Sequence, residues 1–117
     1  MERIIDRKLY FYRHFFHLFY NDQRPKVKAK IDWTLKLIAT MERVPVKFLK
    51  HLESTDGLYE IRVENGGDIF RIFCFFDEGD LIILLNGFQK KSQKTPQQEI
   101  QHAEKLKKQY FNEKENE

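Results

Sequence analysis

The sequence predicts an α+β domain made of a short strand, two helices, a three-stranded antiparallel meander and a last helix. Three observations predict this class. Apolar residues change from helical to alternating spacing after residue 58, Gly-containing turns divide the alternating region, and helical spacing returns near the end. With 117 residues and one Cys, the chain is too short for a two-domain enzyme and has no second Cys for a disulfide. We expect one domain over residues 1–111 and a frayed polar tail over residues 112–117.

The first half is expected to hold a strand near residues 9–12 and then two helices. Four aromatic residues have the i, i+3, i+4, i+7 spacing of one helical face: Tyr12, Phe15, Phe16 and Phe19. Pro25 suits the first turn of the second helix, where its missing N–H costs little. Pro45 ends this helical region, and residues 46–52 are expected to add one further turn. The lysines off the apolar stripe are expected on a solvated face, with attraction of a polyanion as the alternative: Lys26, Lys28, Lys30 and Lys36.

The middle of the chain predicts the meander. Apolar and polar residues alternate over 59–64, which indicates a half-buried strand. Residues 65–68, Asn-Gly-Gly-Asp, predict a tight hairpin turn because Asn and Gly tolerate positive φ. Two further strands are expected at 69–76 and 81–88, with a turn at 77–80 between them.

The last helix is predicted to begin near Thr95, with Gln98 completing a capping box and Pro96 at the first helical position. We expect the helices to pack on one sheet face, against the buried side of the meander, where Cys74 would be inert core. The opposite face would carry an apolar patch, which the last helix, a partner protein or both must cover: Ile69, Phe73, Phe75, Ile82, Leu84 and Phe88.

The hairpin register predicts a cluster of polar side chains on that opposite face. A first turn centred between residues 66 and 67 places Arg62 opposite Arg71, and a second turn centred between residues 78 and 79 places Asn86 on the other side of Arg71. Two facing arginines repel each other unless Glu60 or Glu64 compensates them, or unless they bind a phosphate.

A short basic segment follows the third strand. It contains Lys90, Lys91 and Lys94 without an acidic residue, although the whole chain has a net charge of only +3. These amines are expected at the rim of the same sheet, beside the two arginines. Local charge therefore indicates an anion site that the net charge conceals.

Three segments in order resemble one known family: Gly57–Arg62, Phe70–Phe73 and Gly87–Pro96. They resemble the RelE/ParE superfamily of toxins from bacterial type II toxin–antitoxin systems, and most of all its phage-derived, HigB-type branch. The resemblance implies a RelE-like fold and an mRNA interferase, an endoribonuclease that cuts mRNA on the translating ribosome without a metal or another cofactor. It also implies a cognate helix-turn-helix antitoxin as partner.

The resemblance also implies roles for individual residues. Arg71 matches a strand arginine that contacts the scissile phosphate, and Arg62 matches a basic position that activates the attacking 2′-hydroxyl or holds phosphate. Lys90 and Lys91 match a basic pair near the leaving group. Many relatives have a tyrosine near the C-terminus that stacks on the base or aids proton transfer, whereas here only Tyr110 is available, toward the far end of the last helix.

Further residues are expected to bind RNA beside this cluster. Phe88 has a ring on which a base can stack, and Asn86 shares the predicted arginine face. Lys94 extends the basic segment, and Lys50 with His51 lies just before the meander. His51 is also conceivable as a general base.

Two other functions fit the same fold. One is a ParE-like toxin that inhibits DNA gyrase, which needs no catalytic cluster, and the other is a non-catalytic RNA- or protein-binding module. His14 and His17 have i, i+3 spacing, but no further ligands complete a zinc site. Residues 9–20 are too short and too polar to span a membrane, so a cytoplasmic location is expected.

Overall fold

The computed structural model describes residue 3 and residues 5–116, in which one five-stranded sheet is combined with three helices. The predicted α+β class and element order are confirmed, with one strand added. The elements in chain order are β1 (Leu9–Phe11), α1 (Phe15–Asn21), α2 (Pro25–Thr40), β2 (Leu49–His51), β3 (Tyr59–Asn65), β4 (Asp68–Asp77), β5 (Leu81–Lys90) and α3 (Gln97–Glu115). The strand order is β1-β5-β4-β3-β2, with β1 parallel to β5 and the other pairs antiparallel. No helix among the described residues has the length and apolar character that crossing a bilayer requires.

One face of the sheet packs against α1 and α2. The strands contribute the alternating residues that the sequence assigns to the buried side, including Ile61 and Ile72, and α2 contributes Val27 and Ile31. Cys74 belongs to this core and is fully buried, as predicted, and its burial raises the pKa of its thiol. Burial of this apolar area is the main stabilising contribution to the fold.

The other face packs against α3, so the three helices do not share one face, and the alternative in which the last helix covers the opposite face is confirmed. The core on this side joins Phe73 and Phe75 of the sheet to Ala103 and Leu106 of α3. The last helix therefore covers much of the apolar patch that the sequence predicts on the arginine face.

The first hairpin has the predicted register. Gly66 and Gly67 both have positive φ, 57° and 89°, as a tight hairpin turn requires. Arg62 pairs with Arg71 across this hairpin. Their side chains therefore project from the same face, the one that α3 covers in part.

The second hairpin differs from the predicted register by one residue. Asp77 pairs with Leu81, so the connection has three residues rather than two, with Glu78 and Gly79 in the left-handed region. A shift of one residue reverses the faces of a strand, so Ile82 and Leu84 belong to the core beneath α1 and α2 instead of the arginine face.

A β-bulge in β5 reverses the faces once more. Leu85 and Asn86 together lie opposite the single residue Phe73, and beyond the bulge Arg71 pairs with Phe88. The predicted pairing of Asn86 with Arg71 is therefore wrong. Phe88 nevertheless shares the face of Arg71, because the longer turn and the bulge cancel each other.

Residues 46–52 do not form the expected helical turn, because Leu49–His51 is the edge strand β2. Leu49 pairs with Ile61, Lys50 with Glu60 and His51 with Tyr59. Direct partners share a face, so Lys50 lies on the α3 side of the sheet and His51 on the side of α1 and α2.

The C-terminal helix differs from the prediction at both ends. Pro96 is the N-cap residue rather than the first helical residue, and no side chain makes a capping hydrogen bond. The segment 112–117 is expected to be frayed, but α3 continues to Glu115, and residue 117 lies outside the described residues. Within this segment Glu113 accepts a hydrogen bond of 3.0 Å from the Tyr12 hydroxyl, and Lys114 lies 2.9 Å from Asp77.

Two local contacts fix the outer elements on the sheet. Arg7, just before β1, donates to three carbonyl oxygens at the end of α2 over distances of 2.5–2.8 Å, where a cation also interacts favourably with the helix dipole. Gly87 of β5 lies under the ring of Phe19 from α1, and a Cβ atom at Gly87 would be only 2.5 Å from Phe19 Cδ2. The glycine therefore permits the close approach of α1 to β5.

Candidate nucleic-acid interface

Four basic side chains from four adjacent strands lie on the α3 side of the sheet, beyond the part that α3 covers. Arg62 pairs with Arg71, Lys50 pairs with Glu60, and Lys90 is opposite Ile69 beside Arg71. We call this set the cationic face: Lys50, Arg62, Arg71 and Lys90. Arg62 and Lys90 are half-buried and Lys50 is exposed, so three of the four cations are open to a ligand.

Arg71 is the buried member of the cationic face. Arg71 is only 3% exposed, and its Nε lies 2.8 Å from Oε2 of Glu60, which is also buried. The contact is a buried ion pair. One guanidinium nitrogen donates to the Phe70 carbonyl at 3.1 Å. Burial lowers the pKa of Arg71, and the charge of Glu60 opposes that effect. Glu60 thus compensates the facing arginines, one of the alternatives left open by the sequence.

Lys90 shows the electrostatic effect of this arrangement. Partial burial lowers the pKa of its amine, and the positive charges of Arg71, Arg62 and Lys50 lower it further, while Glu60 acts in the opposite direction. A lysine with a lowered pKa has a larger neutral fraction and can therefore take part in proton transfer.

The rim of β5 adds an aromatic ring and a further amine. Phe88 is half-buried and its ring centroid lies 5.4 Å from that of Phe73. Lys91 is exposed just after β5 and lines two cavities, one of about 400 Å³ beside Lys90 and one of about 870 Å³ beside Phe88. The predicted pair Lys90 and Lys91 therefore stands at the edge of the cationic face.

Four other candidates are not part of this cluster. His51 lies on the opposite face, where its ring contacts Tyr59 at a centroid distance of 5.2 Å. Lys94 is exposed in the loop before α3 and makes no ion pair among the described residues. Asn86 is buried, and its amide donates to the Glu99 side chain of α3 at 3.3 Å. Tyr110 donates to Asp77 at 2.6 Å, at the opposite end of β4 from Arg71.

The structure adds residues that the sequence reasoning missed. Lys47 and Phe48, just before β2, line one cavity with Arg62 and Arg71. Lys30 of α2, expected on a solvated helix face with attraction of a polyanion as the alternative, lines the same cavity. The backbone N–H of Arg62 donates to the Phe48 carbonyl at 2.8 Å, which fixes that segment beside β3. The excess of basic residues in the first half was the available signal, but their separation along the chain concealed the grouping.

A family model for phage-derived Gp49-like proteins (DUF891) matches residues 19–108. The chain belongs to this family. The Gp49-like family is a RelE-like toxin family that is associated with toxins of toxin–antitoxin systems. The match spans every residue of the cationic face and most of both cores. A search of curated proteins finds no match to the chain.

No three His, Cys, Asp or Glu side chains within residue 3 and residues 5–116 are grouped so that they could share a metal ion.

Proposed function

We propose that this Gp49-like protein is a toxin of the HigB type that cleaves mRNA on the translating ribosome. The observation that supports this proposal is the cationic face, where four strands bring Lys50, Arg62, Arg71 and Lys90 together beside the ring of Phe88. Guanidinium and ammonium groups bind phosphate, and an adjacent ring offers a base a surface for stacking. A site of this composition suits single-stranded RNA.

The proposed reaction needs no reactant besides the RNA. The ribose 2′-oxygen attacks the adjacent phosphorus, the bond from phosphorus to the 5′-oxygen breaks, and the products end in a 2′,3′-cyclic phosphate and a 5′-hydroxyl. One proton leaves the 2′-hydroxyl and one is added to the 5′-oxygen. Side chains must therefore stabilise negative charge in the transition state and transfer these two protons.

We assign these tasks by exposure and charge. Arg62 is accessible and would bind the phosphate oxygens, while the buried Arg71 adds positive potential from beneath. Lys90, with its lowered pKa, would accept the proton of the 2′-hydroxyl. Lys91, exposed at the rim, would supply a proton to the 5′-oxygen. A direct contact between Arg71 and phosphate, which the resemblance implies, remains a prediction that requires movement of the side chains around it.

The experiment is induction of the protein in a bacterial host without an antitoxin, with growth measurement and mapping of mRNA 5′ ends. We expect growth arrest and cuts in register with codons, which Arg62→Ala and Lys90→Ala should abolish. Lys36→Ala, a change of an exposed lysine of α2 away from the cationic face, is the matched control and should stay toxic. Intact mRNA with DNA damage would indicate gyrase inhibition instead, and an absence of both effects would indicate a non-catalytic binding module.

We also propose a helix-turn-helix antitoxin as the partner, because the Gp49-like family is associated with toxin–antitoxin systems. An adjacent reading frame that encodes such a protein should restore growth when it is co-expressed. If it binds the toxin but growth remains arrested, the pairing is wrong.

A further inference from the structure

A second cavity opens at the side of the cationic face, along the edge of β3. Its volume is about 360 Å³, and four basic side chains line it: Lys30, Lys47, Arg62 and Arg71. Glu64 is the one acidic lining residue in the described part of the chain. These cations come from α2, the turn before β2, β3 and β4, so the positive potential in the cavity depends on the fold and not on a local run of sequence.

The cavity also has a donor without an acceptor. Arg62 Nε is buried and has no hydrogen-bond partner among residue 3 and residues 5–116. A buried donor without a partner is costly, and most such groups in folded proteins find an acceptor. A phosphate oxygen is an acceptor that guanidinium groups bind strongly, and because a guanidinium has five N–H donors, Arg62 can bind the scissile phosphate and its neighbour at the same time.

An aromatic pair borders the same cavity. Trp33 of α2 is 49% exposed, and the Lys30 Nζ lies 4.7 Å from its ring centroid. The Trp33 ring contacts Phe48 edge to face at a centroid distance of 5.5 Å, and the Lys47 Nζ lies 5.6 Å from the Phe48 ring. Both lysines that line the cavity therefore also contact the aromatic pair. An exposed Trp between cations is the arrangement on which bases of single-stranded nucleic acids stack.

We propose that this cavity is a second RNA subsite, which binds a backbone phosphate next to the scissile one while the Trp33 ring stacks on a neighbouring base. The inference rests on the proposed function and extends it. The RNA would enter at the β5 rim near Lys91, cross the cationic face, and leave over the β3 edge between Lys30 and Lys47. Because stacking accepts every base, this subsite would increase affinity without selecting a sequence.

Trp33 is the single Trp of the chain, so its fluorescence reports on this subsite without a label. The experiment titrates the purified protein with a short single-stranded RNA that 2′-O-methyl groups make uncleavable, and follows both Trp33 fluorescence and the anisotropy of labelled RNA. We expect saturable quenching of Trp33. Trp33→Ala should weaken RNA affinity about tenfold or more, and Trp33→Phe should recover most of it.

The lysines are tested by salt dependence. In the double variant with Lys30→Ala and Lys47→Ala, the plot of the logarithm of RNA affinity against the logarithm of salt concentration should be less steep. The slope should decrease in magnitude by about 0.7 for each lost phosphate contact. Lys36→Ala, on the same helix but outside the cavity, should leave the slope unchanged. Circular dichroism of each variant shows that the fold is retained.

The possible failures of the two proposals are distinct. The subsite proposal is wrong if anisotropy shows RNA binding while Trp33 fluorescence is not quenched. It is also wrong if Trp33→Ala binds RNA with the affinity of the parent. Either result refutes it even if the protein still cuts mRNA in cells. An absence of RNA binding by the parent overturns it as well. Quenching and weakened binding of Trp33→Ala, in a protein that leaves mRNA intact in cells, support the subsite and refute the nuclease.

Discussion

Replacement of one partner of the Arg71–Glu60 ion pair should destabilise the protein much more than replacement of both. The two side chains are 4% and 7% exposed, and their charged atoms lie 2.8 Å apart. Attraction between unit charges about 4 Å apart is about 4 kcal/mol at an effective dielectric constant of 20, and desolvation of each buried ion costs several kcal/mol. The pair is therefore near balance as a unit, whereas either ion alone carries an uncompensated desolvation cost.

We expect Arg71→Met and Glu60→Leu each to lower the free energy of unfolding by about 3–5 kcal/mol. The double variant replaces the pair by apolar side chains of similar size, and it should be within about 1 kcal/mol of the parent or more stable. The assay is urea unfolding followed by circular dichroism and by the fluorescence of Trp33, with the free energies compared in a double-mutant cycle.

A cost below about 1 kcal/mol for Arg71→Met alone would refute this reasoning, since it is the value of an exposed pair. Arg71 would then be solvated and free to contact RNA as the resemblance implies. If the large cost is observed, loss of toxicity in an Arg71 variant does not identify a catalytic residue, because unfolding explains it equally well. The stable double variant then becomes the informative one for toxicity.

Three further predictions concern the contacts that hold the outer elements. Gly87→Ala should lower the free energy of unfolding by about 1–3 kcal/mol, because the new methyl carbon would lie 2.5 Å from Phe19 Cδ2. Urea unfolding measures this difference in free energy. Arg7→Ala removes the three hydrogen bonds to carbonyl oxygens at the end of α2, and it should lower the free energy of unfolding by about 2–3 kcal/mol in the same assay. An unchanged urea midpoint would show that water replaces these hydrogen bonds. Burial and the bond to Asp77 raise the pKa of Tyr110 to about 12 from an ordinary 10.0, so its stabilising contribution is complete below pH 10 and is lost as the pH rises toward 12. Stability measured from pH 8 to 12 should therefore fall less steeply in Tyr110→Phe, and parallel curves would contradict the assignment.

Local turn chemistry explains which parts of the fold could be predicted. The Asn-Gly-Gly-Asp turn determines the first hairpin, and the pairing of Arg62 with Arg71 follows from it. The second turn has no such dominant motif, and its three-residue form depends on Glu78 adopting positive φ, which is uncommon for a residue with a side chain. Strand β2 is three residues long and has too few positions to show alternation.

The site was predictable only in part, because its residues meet through tertiary structure. Lys90 joins Arg71 because the bulge at Leu85 and Asn86 corrects the register. Gly87 follows the bulge directly, but a single Gly in a strand does not by itself show where a bulge lies. The pairing of Glu60 with Arg71 is diagonal across the hairpin, so facing residues alone do not reveal it. The contribution of Lys30 requires the position of α2 relative to β3, which pattern and spacing do not determine.

The parallel pairing of β1 with β5 has a consequence for the time course of synthesis and folding. Leu9–Phe11 find their partners, Ile82–Leu84, only after roughly seventy more residues have left the ribosome. The meander can form first from local hairpins, whereas the N-terminal strand must wait and then close one edge of a finished sheet. Lys90 is the last residue of β5, the strand with which β1 pairs, so the cationic face and the complete sheet form at the same stage of synthesis. A nascent chain is thus expected to lack the complete cationic face until β5 has left the ribosome.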